Sequence, residues 1–192
     1  MRVLAISGSL RAQSSCTSLL QAAARLAPSG MEIVFYEGLA ALPHFNPDLD
    51  TDRPPEPVRL LREEIGRCQG LLLSSPEYAR GVAGSFKNAL DWLVGSLEFP
   101  GKPVALLNAS PRARQADAQL RLTLATMSAR LSEKASVTVA LPGRNLDAGE
   151  IVADADRSGL LRAALACFAG DIGAVALSAA PSPQSLFTET IP

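Results

Sequence analysis

The chain has 192 residues, of which 47% are hydrophobic and 19% charged, which is typical of a globular protein of one domain. Its 18 Lys and Arg residues balance 19 Asp and Glu residues without a basic block, which argues against a nucleic-acid binder and a polybasic membrane anchor. The cysteines lie far apart, and the single histidine, His44, has no second imidazole, so neither a disulfide framework nor a metal site is expected. No apolar run approaches the roughly 20 residues of a bilayer span, and we expect a cytoplasmic protein without a membrane partner.

Continuous apolar runs alternate along the chain with apolar stripes, in which apolar residues recur at helical spacing. The runs predict strands over residues 2–7, 31–36, 71–75, 102–109 and 137–141. The stripes predict helices over residues 19–27, 58–68, 86–94, 120–131 and 160–168, the third of which Ser85 can cap. Five strands with interleaved helices predict an α/β fold, a doubly wound parallel sheet with helices on both faces. We expect one domain over residues 1–178 and a loose tail over residues 179–192, where prolines follow in a Ser-rich setting.

The loop after the first strand is suited to bind a phosphate. Ligands of open parallel sheets bind at the carboxyl ends of the strands, where a helix N-terminus attracts anions. Hydroxyl groups and one guanidinium follow the strand in this loop: Ser9, Arg11, Ser14, Ser15 and Thr17. The loop is neither a Walker motif nor GxGxxG, since it lacks the Gly-Lys ending and has only Gly8. The alternative is that Ser14 or Ser15 caps the helix and that Arg11 is solvated.

The loop after the third strand is suited to a flat ligand. Pro76 ends the strand, and Gly81 and Gly84 allow close approach of the backbone. The alternative is that the aromatic residues Tyr78 and Trp92 only pack, and Trp92 is expected to do so because it falls on an apolar helix face.

Five segments together resemble the NADPH-dependent FMN reductase family. They are GSLRxxS after the first strand, LPHFNPDLD in the long connection, SPEY after the third strand, the KNALDW run, and GKPVALLNAS at the fourth strand. The resemblance is close over residues 1–140 and loose over the last 50. It implies a flavodoxin-like sheet of order 2-1-3-4-5.

The resemblance also implies a cofactor site. It places the FMN phosphate on Ser9, Arg11, Ser14, Ser15 and Cys16, and the isoalloxazine edge on Pro76, Glu77, Tyr78 and Ala79, with Ser110 closing the site. It implies a homodimer or homotetramer with flavin sites near the subunit contacts. The sequence departs from the family where Cys16 and Ala79 replace common asparagines and Ala83 replaces a common proline.

The implied reaction is hydride transfer from NADPH or NADH through FMN to a small acceptor such as a quinone, a flavin or an azo compound. The cofactor supplies this chemistry, so no catalytic acid–base residue is expected, and one open ring face predicts ping-pong kinetics. Arg80, Arg112 and Arg114 are candidates for contact with the 2′-phosphate of NADPH. Two other functions stay open at this point: an FMN electron carrier without nicotinamide turnover, and a phosphate-ligand binding domain without flavin.

Overall fold

The structure is a computed structural model that describes residues 1–142 and 146–179. The strands are β1 (Arg2–Ser7), β2 (Glu32–Phe35), β3 (Gly70–Ser74), β4 (Glu77–Tyr78), β5 (Gly81–Val82), β6 (Pro103–Asn108), β7 (Arg130–Leu131) and β8 (Val137–Thr138). The helices are α1 (Ser15–Arg25), α2 (Glu56–Arg67), α3 (Gly84–Leu93), α4 (Arg114–Thr126), α5 (Ala148–Ala153) and α6 (Ala155–Ala179). The predicted tail lies outside the described residues, except for Ala179 at the end of α6.

The central sheet is parallel and has the order β2-β1-β3-β6, with β7 and β8 both paired to the far side of β6. This confirms the predicted α/β fold with a flavodoxin-like sheet. The chain adds β2 on one side of β1 and β3 on the other, so the order reverses between β1 and β3. Ligands of such folds bind beside this reversal, outside the carboxyl ends of the strands.

The fifth position of the sheet differs in detail from the predicted strand over 137–141. Two short segments share the edge of β6: β7 pairs with its beginning and β8 with its end. After β8 the chain keeps bonding to β6 and the residue that follows it, because Val139 N–H donates to Asn108 O (2.8 Å) and Leu141 N–H to Ala109 O (3.2 Å).

The core lies on both faces of the sheet, as predicted for buried parallel strands. Successive strand residues alternate between the faces, so that Val3 and Ala5 pack with α1, α5 and α6, while Leu4 and Ile6 pack with α2 and α3. Both faces of β1, β3 and β6 are covered, which leaves the strand ends as the place for a ligand.

Three predicted helix features are wrong in detail. The fourth helix was expected to reach residue 131, but α4 ends at Thr126, because Ser128 takes a left-handed conformation (φ 60°) and turns the chain into β7. Ser85 does not cap α3, which follows Ala83. Its hydroxyl donates to Gly8 O (3.3 Å) instead. Helix α5 was not predicted, although Asp147 and Glu150 form a capping box at its start.

Helix α6 is longer than predicted and corrects the expectation about apolar runs. An 18-residue stretch within Ala155–Ser178 has a mean hydropathy of 1.7, so by length and composition the helix is able to span a membrane. Composition alone does not establish a span, because Leu161, Leu165 and Phe168 of α6 pack into the core of the domain.

The long connection between β2 and α2 is held against α3 by two residues of the KNALDW run. Asn88 Oδ1 accepts from Phe45 N–H (2.8 Å), and Asn88 Nδ2 donates to Pro43 O (2.9 Å). Trp92 Nε1 donates to the same carbonyl (2.8 Å), and its indole ring is fully buried, as predicted. Asn88 and Trp92 therefore hold the long connection against α3. His44, within this connection, is exposed.

Candidate active site

A cavity of about 360 Å³ opens at the carboxyl edge of the sheet, within the range of small-molecule sites. Three segments form its walls: the start of α1, the loop after β3 and the loop after β6. The described residues that line it are Ser15, Cys16, Ser75, Pro76, Glu77, Asn108, Ala109, Ser110, Arg112, Ala113, Leu141 and Pro142. This is the position that the reversal of strand order predicts.

The first wall is the N-terminus of α1. Ser14 occupies the N-cap position in an extended conformation, but its side chain makes no capping hydrogen bond within the described part of the chain. The first turn carries no acidic residue. The alternative in which the Ser14 hydroxyl caps the helix is therefore wrong, and the positive end of the helix dipole faces the cavity mouth.

The hydroxyl groups around the start of α1 bond in part to one another or to the loop backbone. Ser7 Oγ and Thr17 Oγ1 are hydrogen-bonded across the loop (2.9 Å), so Thr17 is not directed to a ligand in this structure. Ser9 Oγ accepts from Arg11 N–H (3.4 Å), which folds the loop back on itself. The Arg11 side chain is exposed. The loop is thus shaped by its own side chains before any ligand is bound.

Gly8 is required by packing at this point. A Cβ atom there would lie 3.0 Å from Phe86 Cβ and 3.0 Å from Ser75 Oγ. Gly8 N–H also donates to Ser74 O (2.7 Å), which ties the two loops together. Neither Gly81 nor Gly84 lines the cavity among the described residues, and the expectation that they allow a ligand to approach stays a prediction.

The second wall is the loop after β3, which contains a two-residue hairpin. Strands β4 and β5 pair antiparallel, and the connecting residues Ala79 and Arg80 both have positive φ (49° and 61°). Two successive left-handed residues are expected in a tight hairpin turn, where Asn and Gly are preferred. Ala79 therefore occupies a strained position, and its side chain is too small to bind a ligand in the way an asparagine does.

Glu77 in this wall is bonded to the neighbouring helix. Its Oε2 accepts from the backbone N–H groups of Gln115 and Ala116, both at 2.9 Å, in the first turn of α4. Ala113, at the N-cap position of α4, has no polar side chain to do this. Glu77 therefore joins the second wall of the cavity to the third.

The third wall is the loop after β6. Asn108 Oδ1 accepts from Ser110 N–H (3.0 Å), and Ser110 Oγ accepts from Arg112 N–H (3.2 Å). These bonds turn the chain from the strand into α4 and place Arg112 at the cavity lining. Asn108 was not among the predicted residues, and Arg112 was predicted only as a contact for the 2′-phosphate of NADPH. The signal for both was their position at or shortly after the carboxyl end of a parallel strand.

Cys16 lies in the first turn of α1 and is buried. Burial raises the pKa of its thiol, and the neighbouring Ser74 and Ser14 hydroxyls oppose the shift only in part. A neutral thiol is a poor nucleophile. Cys16 lines the cavity and, unlike an asparagine, has no amide group to bond a phosphate.

The structure brings half of the predicted cofactor residues to the cavity lining. Those that line it are Ser15, Cys16, Pro76, Glu77 and Ser110. Those that do not, within the described part of the chain, are Ser9, Arg11, Ser14, Tyr78 and Ala79. The latter group belongs to the loops that border the cavity. Their predicted contacts with a cofactor remain predictions.

The chemistry of the walls fits a flavin mononucleotide. The Ser74 hydroxyl is buried beside Cys16 without a nitrogen or oxygen partner among the described residues. The uncapped turn of α1 supplies N–H donors and a positive dipole end on the same side, as a phosphate requires. The other walls present proline, backbone and short polar groups, which suit the flat ring system and its polar edge.

A flavodoxin-like α/β fold with this site defines a class of flavin-dependent oxidoreductases, and comparison with known proteins identifies the family. The NADPH-dependent FMN reductase family matches residues 1–141. An NAD(P)H-dependent FMN reductase of Pseudomonas aeruginosa is 37% identical over 163 residues, which cover 82% of this chain and 88% of that protein. The chain therefore belongs to the NADPH-dependent FMN reductase family, as the sequence motifs predict.

Further relatives and solved structures agree with this placement. A quinone reductase of Pseudomonas putida is 38% identical over 116 residues, which cover 58% of this chain and 61% of that protein. The flavoenzyme NAD(P)H:(acceptor) oxidoreductase FerB from Paracoccus denitrificans has a TM-score of 0.73 and 28% identity, and the match covers 90% of this chain and 97% of FerB. The predicted family and the predicted class of oxidoreductase are confirmed.

Proposed function

We propose that this protein is an FMN-dependent reductase that transfers electrons from NADPH or NADH to a quinone or a similar small acceptor. The observation that carries the proposal is the cavity between the uncapped N-terminus of α1 and the loops after β3 and β6. Its supports are the family membership and the names of the relatives, which include quinone reductases.

The residues divide into a phosphate end and a ring end. At the phosphate end, the first-turn N–H groups of α1 and the hydroxyls of Ser9, Ser14 and Ser15 would donate hydrogen bonds, and Arg11 would add charge-assisted ones of roughly 1.5–3 kcal/mol each. Cys16 would pack below them. The Arg11 side chain is exposed in this structure, so it must fold toward the first turn of α1 to contact the phosphate.

At the ring end, backbone and short side chains would orient the flavin. Pro76, Tyr78 and Ala79 would border its edge, and Ser110 would close the opposite side. FMN, when bound, supplies the hydride-accepting and electron-donating chemistry. The protein binds and orients the cofactor, and none of its side chains is needed to move a proton.

One open face of the bound flavin would serve the donor and the acceptor in turn and give ping-pong kinetics. The test is an anaerobic absorption spectrum of the FMN-loaded protein before and after NADPH, followed by steady-state kinetics with a quinone. Bleaching of the flavin bands and parallel double-reciprocal lines are expected. An unbleached spectrum would contradict the reductase and favour an electron carrier, whereas intersecting lines would contradict ping-pong order.

We further propose a homodimer or homotetramer in the cytoplasm, with subunit contacts near the cavity. The support is the exposure of two large side chains in the loops that border it, Leu10 (58% exposed) and Tyr78 (52% exposed). Both side chains are accessible to a second subunit beside the cavity. Sedimentation velocity tests this, and a monomer at micromolar concentration would contradict it.

A further inference from the structure

Glu77 bonds to the start of α4 in place of a side chain at the helix's own N-cap position. The N-cap position of a helix normally supplies an oxygen to the second or third N–H group of the first turn. In α4 that position is Ala113, which has no such oxygen, and the two N–H groups of Gln115 and Ala116 are instead satisfied by a carboxylate 38 and 39 residues earlier in the chain. The negative charge also lies at the positive end of the helix dipole.

A second bond joins the β4–β5 hairpin to α4 one turn further along the helix. Gln119 Oε1 of α4 accepts from Val82 N–H in β5 (3.3 Å). Glu77 and Val82 are directly paired across the hairpin, so both ties reach the same rung of the β4–β5 ladder. The hairpin is therefore fixed to α4 at its base, while its turn extends toward solvent.

The hairpin needs such support because its turn is strained. Ala79 and Arg80 both adopt the left-handed conformation, and residues without the freedom of glycine persist there only when their surroundings hold them. The ladder itself has only two residue pairs. The bonds to α4, together with the packing of Val82 against the core, hold it in place.

We propose that Glu77 is a positioning residue, which sets the separation of two cavity walls by capping α4, rather than a hydrogen-bond partner of the flavin. Its carboxylate connects the wall after β3, to which it belongs, with the wall after β6, which runs directly into α4. The width of the slot for the ring system then depends on this cap. This inference rests on the proposed function, because it assigns the slot to FMN.

The test compares Glu77→Ala and Glu77→Gln with wild type in two measurements. The first is amide hydrogen exchange by NMR in the protein without FMN, and the second is an FMN fluorescence titration. Glu77→Ala is expected to exchange about tenfold faster at Gln115 and Ala116 and to bind FMN about tenfold more weakly. Glu77→Gln keeps one acceptor oxygen, so smaller changes of about twofold to threefold are expected in both measurements.

The matched control is Glu133→Ala. Glu133 also contacts α4, through an ion pair with Arg121 (2.6 Å), but its side chain is 71% exposed and it does not line the cavity among the described residues. Unchanged exchange at the start of α4 and unchanged FMN affinity are expected. Equal effects from Glu133→Ala and Glu77→Ala would overturn a specific role for the cap.

The exchange measurement separates positioning from direct contact, because it is made without FMN. If Glu77→Ala binds FMN weakly but keeps wild-type exchange at Gln115 and Ala116, then the carboxylate contacts the cofactor and the inference is wrong. Unchanged FMN affinity in Glu77→Ala also overturns it. If Glu77→Ala does not fold, Glu77→Gln must show faster exchange at these amides, and wild-type exchange would refute the cap. Absence of FMN binding by the wild-type protein would refute the proposed function instead.

Discussion

Replacing Asn88 with alanine is expected to loosen the long connection without affecting the cofactor site. The amide of Asn88 makes two hydrogen bonds to the loop backbone, at 2.8 and 2.9 Å. At about 0.5–1.5 kcal/mol each, with an added cost for the unpaired Phe45 N–H group, their loss should lower the free energy of unfolding by about 2 kcal/mol. For a chain of this length that corresponds to a decrease in Tm of about 4–8 °C.

The assay is urea unfolding of the protein without FMN, followed by the fluorescence of Trp92, the single tryptophan of the chain. FMN affinity should stay within about twofold of wild type, since the cavity is lined by no described residue of α3 or of the long connection that Asn88 holds. The matched control is Asn46→Ala, which removes one exposed bond to Asp48 N–H (3.0 Å) and should cost less than about 0.5 kcal/mol.

Two results would refute this interpretation of the KNALDW run. A loss of less than about 0.5 kcal/mol in Asn88→Ala would mean that the amide does not fasten the loop. A decrease in FMN affinity of more than about tenfold, with stability preserved, would mean that Asn88 serves the cofactor.

Four other substitutions or treatments test the site. Arg11→Ala should weaken FMN binding by about tenfold or more at an unchanged Tm, because its side chain is exposed and contributes little to the fold; unchanged affinity would mean that Arg11 is solvated. Ala79→Asn should raise the free energy of unfolding by about 0.5–1 kcal/mol in urea, since asparagine tolerates positive φ, and no gain would contradict the strained turn. Because burial raises the pKa of the Cys16 thiol, its alkylation by iodoacetamide should be slow at pH 7 and accelerate only in alkaline buffer. Bound FMN should slow the alkylation further. Rapid alkylation at pH 7 would contradict the buried thiol. Arg112→Ala should raise the KM for NADPH more than that for NADH if its guanidinium binds the 2′-phosphate, and equal changes would exclude that role.

The architecture follows from the sequence because its signals are local or periodic. The three buried strands β1, β3 and β6 appear as apolar runs, and the predicted strand over residues 2–7 coincides with β1. The end of α4 carries no such signal, since Ser128 adopts a left-handed conformation that is normally marked by glycine. Helix α5 was predictable in principle from Asp147 and Glu150, whose spacing is that of a capping box.

The candidate site was predictable only in part, for reasons that lie in the tertiary structure. Cys16 and Pro76 line the cavity because Cys16 lies in the first turn of α1 and Pro76 lies just after β3, two places that the sequence marks. The role of Glu77 depends on amides 38 and 39 residues away, which no local pattern connects to it. The hairpin was hidden as well, because Ala79 and Arg80 replace the residues that normally mark such a turn.

A crystal structure of the protein with FMN tests the central claim most directly. We expect the phosphate within hydrogen-bonding distance of the first-turn N–H groups of α1, and the ring system between the loop at Pro76 and the loop at Ser110. Density for FMN at any other place, or an empty cavity in crystals grown with saturating FMN, would contradict the account.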